Sequence, residues 1–155
     1  MTTLVLVRHA KSDWGDPGLD DHDRPLNERG LRDAPLLAKR VASSGLQLDA
    51  VLSSTALRAR TTASFFASAF GLEPELDPDL YGAPADTLLA AAVARAVPAV
   101  MVVAHDPGMT TLAERLSGGG IGHMPTCAVA TFVWASSDWD VATAVDPDEW
   151  AFDRP

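Results

Sequence analysis

The chain has 155 residues, a net charge of −9 at neutral pH and a single cysteine. That length suits one domain with a full core, expected over residues 1–155, and one thiol excludes an intrachain disulfide. The acidic balance argues against general affinity for nucleic acid or anionic membranes, and no apolar stretch is long enough to span a bilayer.

The charge is unevenly placed. Residues 1–60 carry nine of the twelve Lys/Arg but only eight of the twenty-one Asp/Glu, a net of +1 against −10 for residues 61–155. An acidic protein with basic residues gathered at Arg8, Lys11, Arg24, Arg29, Arg32, Arg58 and Arg60 suggests a specific anion site. Solvated surface charge is the plainer account of any one of them.

The N-terminus has no basic stretch before its short apolar run, so a cytoplasmic location is expected. Thr3–Val7 is an aliphatic run ending in Arg8-His9, the pattern of a buried parallel strand. Residues 11–30 lack periodicity and are rich in Asp, Gly and Pro, which predicts a loop. Asn27–Ser44 reads as a helix with Leu31, Ala34, Leu37, Ala38 and Val41 on its buried face, closed by Gly45. Pro35 predicts a kink or a restart near Asp33.

Asp49–Ser53 reads as a second strand. Ser53-Ser54-Thr55 supplies cap candidates for a helix to about Phe70, stopped by Gly71. Residues 72–85 read as loop, and Asp86–Val97 as a helix stopped by Pro98. Ala99–Ala104 is an unbroken aliphatic run into His105, and Thr110–Ser117 a short helix before Gly118-Gly-Gly120. Ala128–Trp134 and Trp139–Val145 are expected to form a hairpin at the edge of the sheet. Cys127 opens an apolar run and reads as a buried structural thiol.

Strands alternating with helices predict a three-layer α/β/α sandwich with a mainly parallel sheet. Ligands bind such sheets beyond the carboxyl ends of the strands. That rule singles out Arg8-His9, Ser53–Arg60 and His105-Asp106. Each carries what phosphoryl chemistry needs. An arginine fork neutralises phosphoryl oxygens by two parallel hydrogen bonds. A neutral imidazole is nucleophilic near pH 7 and adds no negative charge to repel the phosphate. Arg58 falls in the first turn of its helix, where free backbone N–H groups also favour anions.

Arg8-His9-Ala10 after a first strand resembles the signature of the histidine phosphatase superfamily, with its phosphoglycerate-mutase-like fold. Ser53-Ser54-Thr55-Ala56-Leu57-Arg58-Ala59-Arg60-Thr61-Thr62 resembles its second block, and Ala104-His105-Asp106-Pro107-Gly108 the block of its second histidine. Arg8–Ser12, Asp23-Arg24-Pro25-Leu26-Asn27-Glu28-Arg29-Gly30 and Met124-Pro125-Thr126 are similar to the small SixA-type phosphohistidine phosphatases. The resemblance implies catalysis without metal or organic cofactor. In it, His9 takes the phosphoryl group and water then releases phosphate, while Arg8, Arg58 and His105 hold the oxygens. It also offers Asp106 as a general acid, after the acid-phosphatase branch, and Asp79 as a second candidate, after the mutase branch. Capping the following helix is an equal role for Asp106.

The implied substrate is a phosphorylated protein, phosphohistidine preferred. Alternatives are a small phosphomonoester, or a non-catalytic regulatory module that binds phosphoryl groups. His22, in Asp20-Asp21-His22-Asp23, lacks the spacing of a metal site and is expected to be solvated. His123 is expected at the surface or behind the site. Trp14, Lys11 and Arg24 are expected at the pocket mouth, Trp14 alternatively as a lid over the core. Gly118–Gly122 lacks the lysine of a P-loop.

Overall fold

A computed structural model describes all 155 residues. In chain order the elements are β1 (Thr2–Arg8), α1 (Glu28–Ala42), β2 (Ala50–Ser53), α2 (Leu57–Ala69), β3 (Pro74–Leu76), α3 (Ala85–Arg95), β4 (Ala99–Ala104), α4 (Gly108–Leu116), β5 (Val129–Trp134), α5 (Trp139–Ala142) and β6 (Glu149–Asp153). The strands form one sheet in the order β3-β2-β4-β1-β5-β6. Pairings β1/β4, β2/β4 and β2/β3 are parallel, while β5 runs antiparallel to both β1 and β6. No helix is long and apolar enough to cross a membrane.

Strand alternation sends successive side chains to opposite faces, so each central strand feeds two cores. Leu4, Leu6, Val100, Val102 and Phe132 pack with Leu88 of α3 and Met109 and Leu112 of α4. Val5, Val7, Met101 and Val103 pack on the other face with Leu37 of α1 and Phe66 of α2. The result is the three-layer α/β/α architecture expected from the sequence.

Register brings the strand ends together. Arg8 pairs with Ala104 across β1/β4, and Ser53 with Val103 across β2/β4. The next residues, His9, His105 and Ser54, therefore emerge side by side at one rim. Main-chain bonds fix this: the His9 amide donates to Ala104 O at 3.1 Å, and the Ser54 amide to Val103 O at 3.0 Å.

The loop between β1 and α1 is closed at its base. Ser12 bridges Leu26, the Asp13 amide donates to Pro25 O, and the Asn27 amide to Lys11 O. Asn27 then caps α1 by accepting from the Gly30 amide at 2.9 Å. Gly30 has to be small, because a Cβ there would lie 2.3 Å from the Lys11 carbonyl oxygen. This contact turns Gly30 inward and leaves Leu31, expected on the buried face, 50% exposed. Ala34, Leu37, Ala38 and Val41 are buried as expected.

Four further expectations are corrected. α1 runs unbroken through Pro35, so there is no restart. The proline frees the carbonyl of Leu31, on a side open to water, where the lost bond costs little. Residues 72–85 contain β3, a three-residue edge strand whose first residue is a proline, tolerated only at such an edge. α2 has Ala56 rather than a serine or threonine at its N-cap, with no side-chain cap. Finally, the partner of β5 is β6, not Trp139–Val145. Residues Trp139–Ala142 are helical because Asp138 accepts from the Asp140 and Val141 amides. Trp139 is buried, with its indole N–H on Val97 O at 2.7 Å.

Candidate active site

His9 and His105 are both buried, with ring centroids 5.1 Å apart. His9 Nδ1 lies 2.7 Å from Ala10 O, an acceptor only, so Nδ1 carries the proton and Nε2 the lone pair. The same turn is tied to α2, since the Ala10 amide donates to Thr62 Oγ1 and that hydroxyl donates to Arg58 O.

His105 Nε2 lies 2.8 Å from Ser54 Oγ. Ser54 Oγ also accepts the Ala56 amide at 3.2 Å. His105 Nδ1 is buried without a partner. This hydroxyl work explains why Ser54 does not cap α2 in the ordinary way.

Arg8 donates from Nη1 to Met124 O at 2.9 Å and lies 3.5 Å from Asp106 Oδ2. Arg58 is buried at the start of α2. Arg8 Nε and Arg58 Nε are buried donors without a partner, and His105 Nδ1 is a third buried nitrogen without one. Buried donors are costly to leave unmade, so the two arginine Nε–H groups beside the paired imidazoles form a pocket chemically suited to an anion.

Asp21, which sequence reasoning passed over, stands in front of Arg58. Its Oδ2 accepts from Arg58 Nη2 at 2.9 Å and its carbonyl from Arg58 Nη1 at 2.6 Å. Tyr81 donates its hydroxyl to the same Oδ2, and its ring stands edge-on to His105 at 5.4 Å. These partners, Tyr81 first, hold the Asp21 carboxyl far below the ordinary carboxylate range. Tyr81 is carried there by the loop before α3. Gly108 makes room for that loop, since a Cβ on it would lie 2.1 Å from Ala83 O. Nothing in the local sequence around Asp21 or Tyr81 announces these contacts, which span 37 and 60 residues.

Arg24 lies at the mouth as expected but is buried, bound to Asp21 and to Ser12 Oγ at 2.8 Å. Its guanidinium lies 3.5 Å from the centroid of Trp14, which is 69% exposed and so is no lid over the core. Lys11 contributes a carbonyl to the base of the loop. The His22 side chain is 41% exposed, in keeping with a solvated loop residue, but it is also held by contacts. Its Nε2 bonds Thr55 Oγ1 at 2.8 Å and its ring packs edge-on to Tyr81.

Asp106 accepts from the amide and hydroxyl of Thr110 at the start of α4. Thr110 Oγ1 in turn accepts the Met124 amide, tying the Arg8 acceptor to α4. Asp79 is exposed, its amide turned back to Asp77. His123 is exposed. Cys127 is fully buried and burial pushes its thiol up to about 12, in keeping with an inert structural role.

Burial, aided by Arg58 and Arg8, lowers His9 to about 3 and His105 to about 4. Both rings are therefore neutral at physiological pH. The unfolded chain protonates them near 6.5, so between pH 6.5 and 4 it binds more protons than the folded chain. Stability contributed by these sites is present above pH 6.5 and falls as pH drops. The slope is at most about 1.4 kcal/mol per group per pH unit. Thermal melts should show the midpoint falling across that window in the wild type and falling less steeply in His9→Asn/His105→Asn. Equal slopes would show that the two rings are not neutralised by folding.

A family model described as the histidine phosphatase superfamily (branch 1) matches residues 4–82. A chloroplastic protein of Arabidopsis thaliana is 32% identical over 161 residues, covering 95% of this chain and 73% of that protein. Among solved structures, SixA from Agrobacterium tumefaciens superposes with a TM-score of 0.82 at 32% identity, covering 99% of this chain and 98% of that one. SixA from Nakamurella multipartitia gives 0.84 at 25% identity, covering 99% and 96%. The chain belongs to the histidine phosphatase superfamily, and it is a phosphatase.

Proposed function

We propose that the protein removes phosphoryl groups through a covalent intermediate on His9, and that its preferred substrate is phosphohistidine on a protein. The observation that carries the first half is the His9 Nδ1–Ala10 O bond. It orients the ring with the lone pair on Nε2, beside the unpartnered buried Nε–H donors of Arg8 and Arg58.

In the first step Nε2 attacks phosphorus and the bond from phosphorus to the leaving atom breaks, giving Nε2-phosphorylated His9. Arg8, Arg58 and His105 Nδ1–H donate to the three phosphoryl oxygens, whose charge they offset throughout. In the second step water attacks phosphorus on the open side. The N–P bond breaks, its electron pair returns to Nε2, and inorganic phosphate leaves. The Ala10 carbonyl keeps the ring oriented in both steps.

A phosphomonoester expels an alkoxide and needs a proton at that moment. Asp106, the acid suggested by resemblance, spends both oxygens on Thr110 and one on Arg8. We assign it the positioning of Arg8. Asp79 stands exposed in its own turn. An imidazole leaving group makes the least demand on such an acid, which favours phosphohistidine. The exposed Trp14 and Tyr81 leave the mouth accessible to a protruding side chain.

The test compares kcat/KM on a phosphohistidine-bearing protein with that on p-nitrophenyl phosphate and phosphoserine. A general acid contributes about 10²–10⁴-fold, so the phosphohistidine protein should lead phosphoserine by at least about 100-fold. Equal or reversed rates would make the enzyme a small-molecule phosphomonoesterase.

A further inference from the structure

Asp21 has no task in the hydrolysis scheme, yet it is the best-connected acid of the site. Its carbonyl and Oδ2 take both terminal nitrogens of Arg58. Its Oδ1 takes Nε and Nη2 of Arg24 at 3.1 and 2.9 Å. Tyr81 donates to Oδ2. The loop carrying it is pinned at its base by the Ser12–Leu26 bridge. Arg24 is pinned by Ser12 and stacked with Trp14.

Two oxygens on the two terminal nitrogens of a guanidinium is also how arginine receives a phosphoryl group. A phosphoryl group seated on the terminal N–H groups that Asp21 holds has to displace it, while Arg58 Nε–H is free in either state. We propose that Asp21 is a built-in competitor for the phosphoryl subsite. It fills the Arg58 fork in the resting protein and is exchanged for the incoming phosphoryl group. It thereby sets how tightly the enzyme holds phosphoryl ligands, including its product, inorganic phosphate. This rests on Arg58 as a phosphoryl-binding residue.

The exchange has a definite consequence for affinity. A ligand that binds only the fraction of molecules with the fork free has an apparent Kd raised by the inverse of that fraction. Removing the competitor removes this factor. A residue that merely orients Arg58 would act with the opposite sign, because its loss would leave the guanidinium unaimed.

The experiment is calorimetric titration of wild type, Asp21→Asn, Asp21→Ala, Asp23→Asn and Arg58→Ala with inorganic phosphate, and with orthovanadate as a second oxyanion. Asp21→Asn and Asp21→Ala should bind both about tenfold or more tightly, a gain matching the freed fraction. Their KM should fall in parallel. Asp23→Asn removes an equal charge from the same exposed turn without touching Arg58, and should change affinity about twofold at most. Arg58→Ala should weaken binding. Weaker or unchanged binding in both Asp21 variants would overturn the proposal, as would an equal gain in Asp23→Asn. Unchanged phosphate binding in Arg58→Ala would instead overturn the reading of the subsite itself. Asp21 pairs with two buried arginines, so its variants should melt somewhat lower than the wild type, in a single cooperative transition that shows them folded at the titration temperature.

Discussion

His9→Ala is expected to lower kcat for p-nitrophenyl phosphate by at least about 10³-fold, or more than about 4 kcal/mol of activation free energy. Excess chelator should leave the wild-type rate unchanged, because the proposed nucleophile is the chain's own imidazole. The size follows from the geometry. His9 is buried, its lone pair is set by the Ala10 carbonyl, and burial keeps it unprotonated. None of these features passes to another side chain when the ring is removed. His105 stands 5.1 Å away, but its Nε2 is committed to Ser54. Rapid acid-avoiding quench of the wild type should also trap phosphate on the protein in an acid-labile, base-stable form. A His9→Ala enzyme within tenfold of wild type would exclude the covalent route.

The lowered histidine values bear on this nucleophile in a further way. A ring that protonates only near pH 3 stays nucleophilic throughout the neutral range, so protonation of His9 in the free enzyme should not limit the rate above about pH 5. Burial raises no penalty here as long as the ring is neutral. It becomes costly when the ring is protonated, and the phosphorylated ring needs its anionic oxygens met by Arg8 and Arg58. The two arginines that depress the free ring are thus the groups proposed to stabilise its phosphorylated form.

Much of this site was legible in the sequence because it is built from strand ends. An aliphatic run followed at once by Arg8-His9, and another by His105, is local information, and parallel pairing converts it into proximity. The register Arg8–Ala104 does the rest. Arg58 was legible for the same reason, as the first turn after a strand. The loop partners were not. Asp21 and Tyr81 sit in segments without periodicity, and what brings them to Arg58 is packing. Gly30 against Lys11 and Gly108 against Ala83 set those loops down, and no local pattern encodes either approach. Ser54 shows the intermediate case. It was visible as a polar residue at a helix start, but its hydroxyl serves a histidine 51 residues away. The misassigned strand at Trp139–Val145 has a similar cause. Its apolar alternation is real, but Asp138 and the buried Trp139 favour one helical turn, and the edge falls to the charged-ended β6.

Arg58→Ala should lower kcat/KM by about 10²–10³-fold, the range for losing one preorganised charge-stabilising group, while Arg58→Lys should recover only part of it. The argument rests on shape as much as charge. Arg58 presents a planar fork from a buried start of α2, with Nε unpartnered and both terminal nitrogens paired to Asp21. Lysine restores one positive charge, but a point donor cannot match two phosphoryl oxygens at once. The loss should appear in kcat as well as KM, because phosphoryl charge shifts most as the transition state forms. A change in KM alone would make Arg58 a binding residue without a part in the chemical step. A loss of less than about threefold in Arg58→Ala would remove it from the site. Steady-state kinetics on p-nitrophenyl phosphate, with melting curves to confirm that the variants are folded, separates these outcomes. Comparing Arg58→Ala with Arg58→Ala/Asp21→Asn adds a final constraint. If Asp21 acts only by occupying Arg58, its removal should no longer tighten phosphate binding once Arg58 is gone, and the two substitutions will be strongly non-additive.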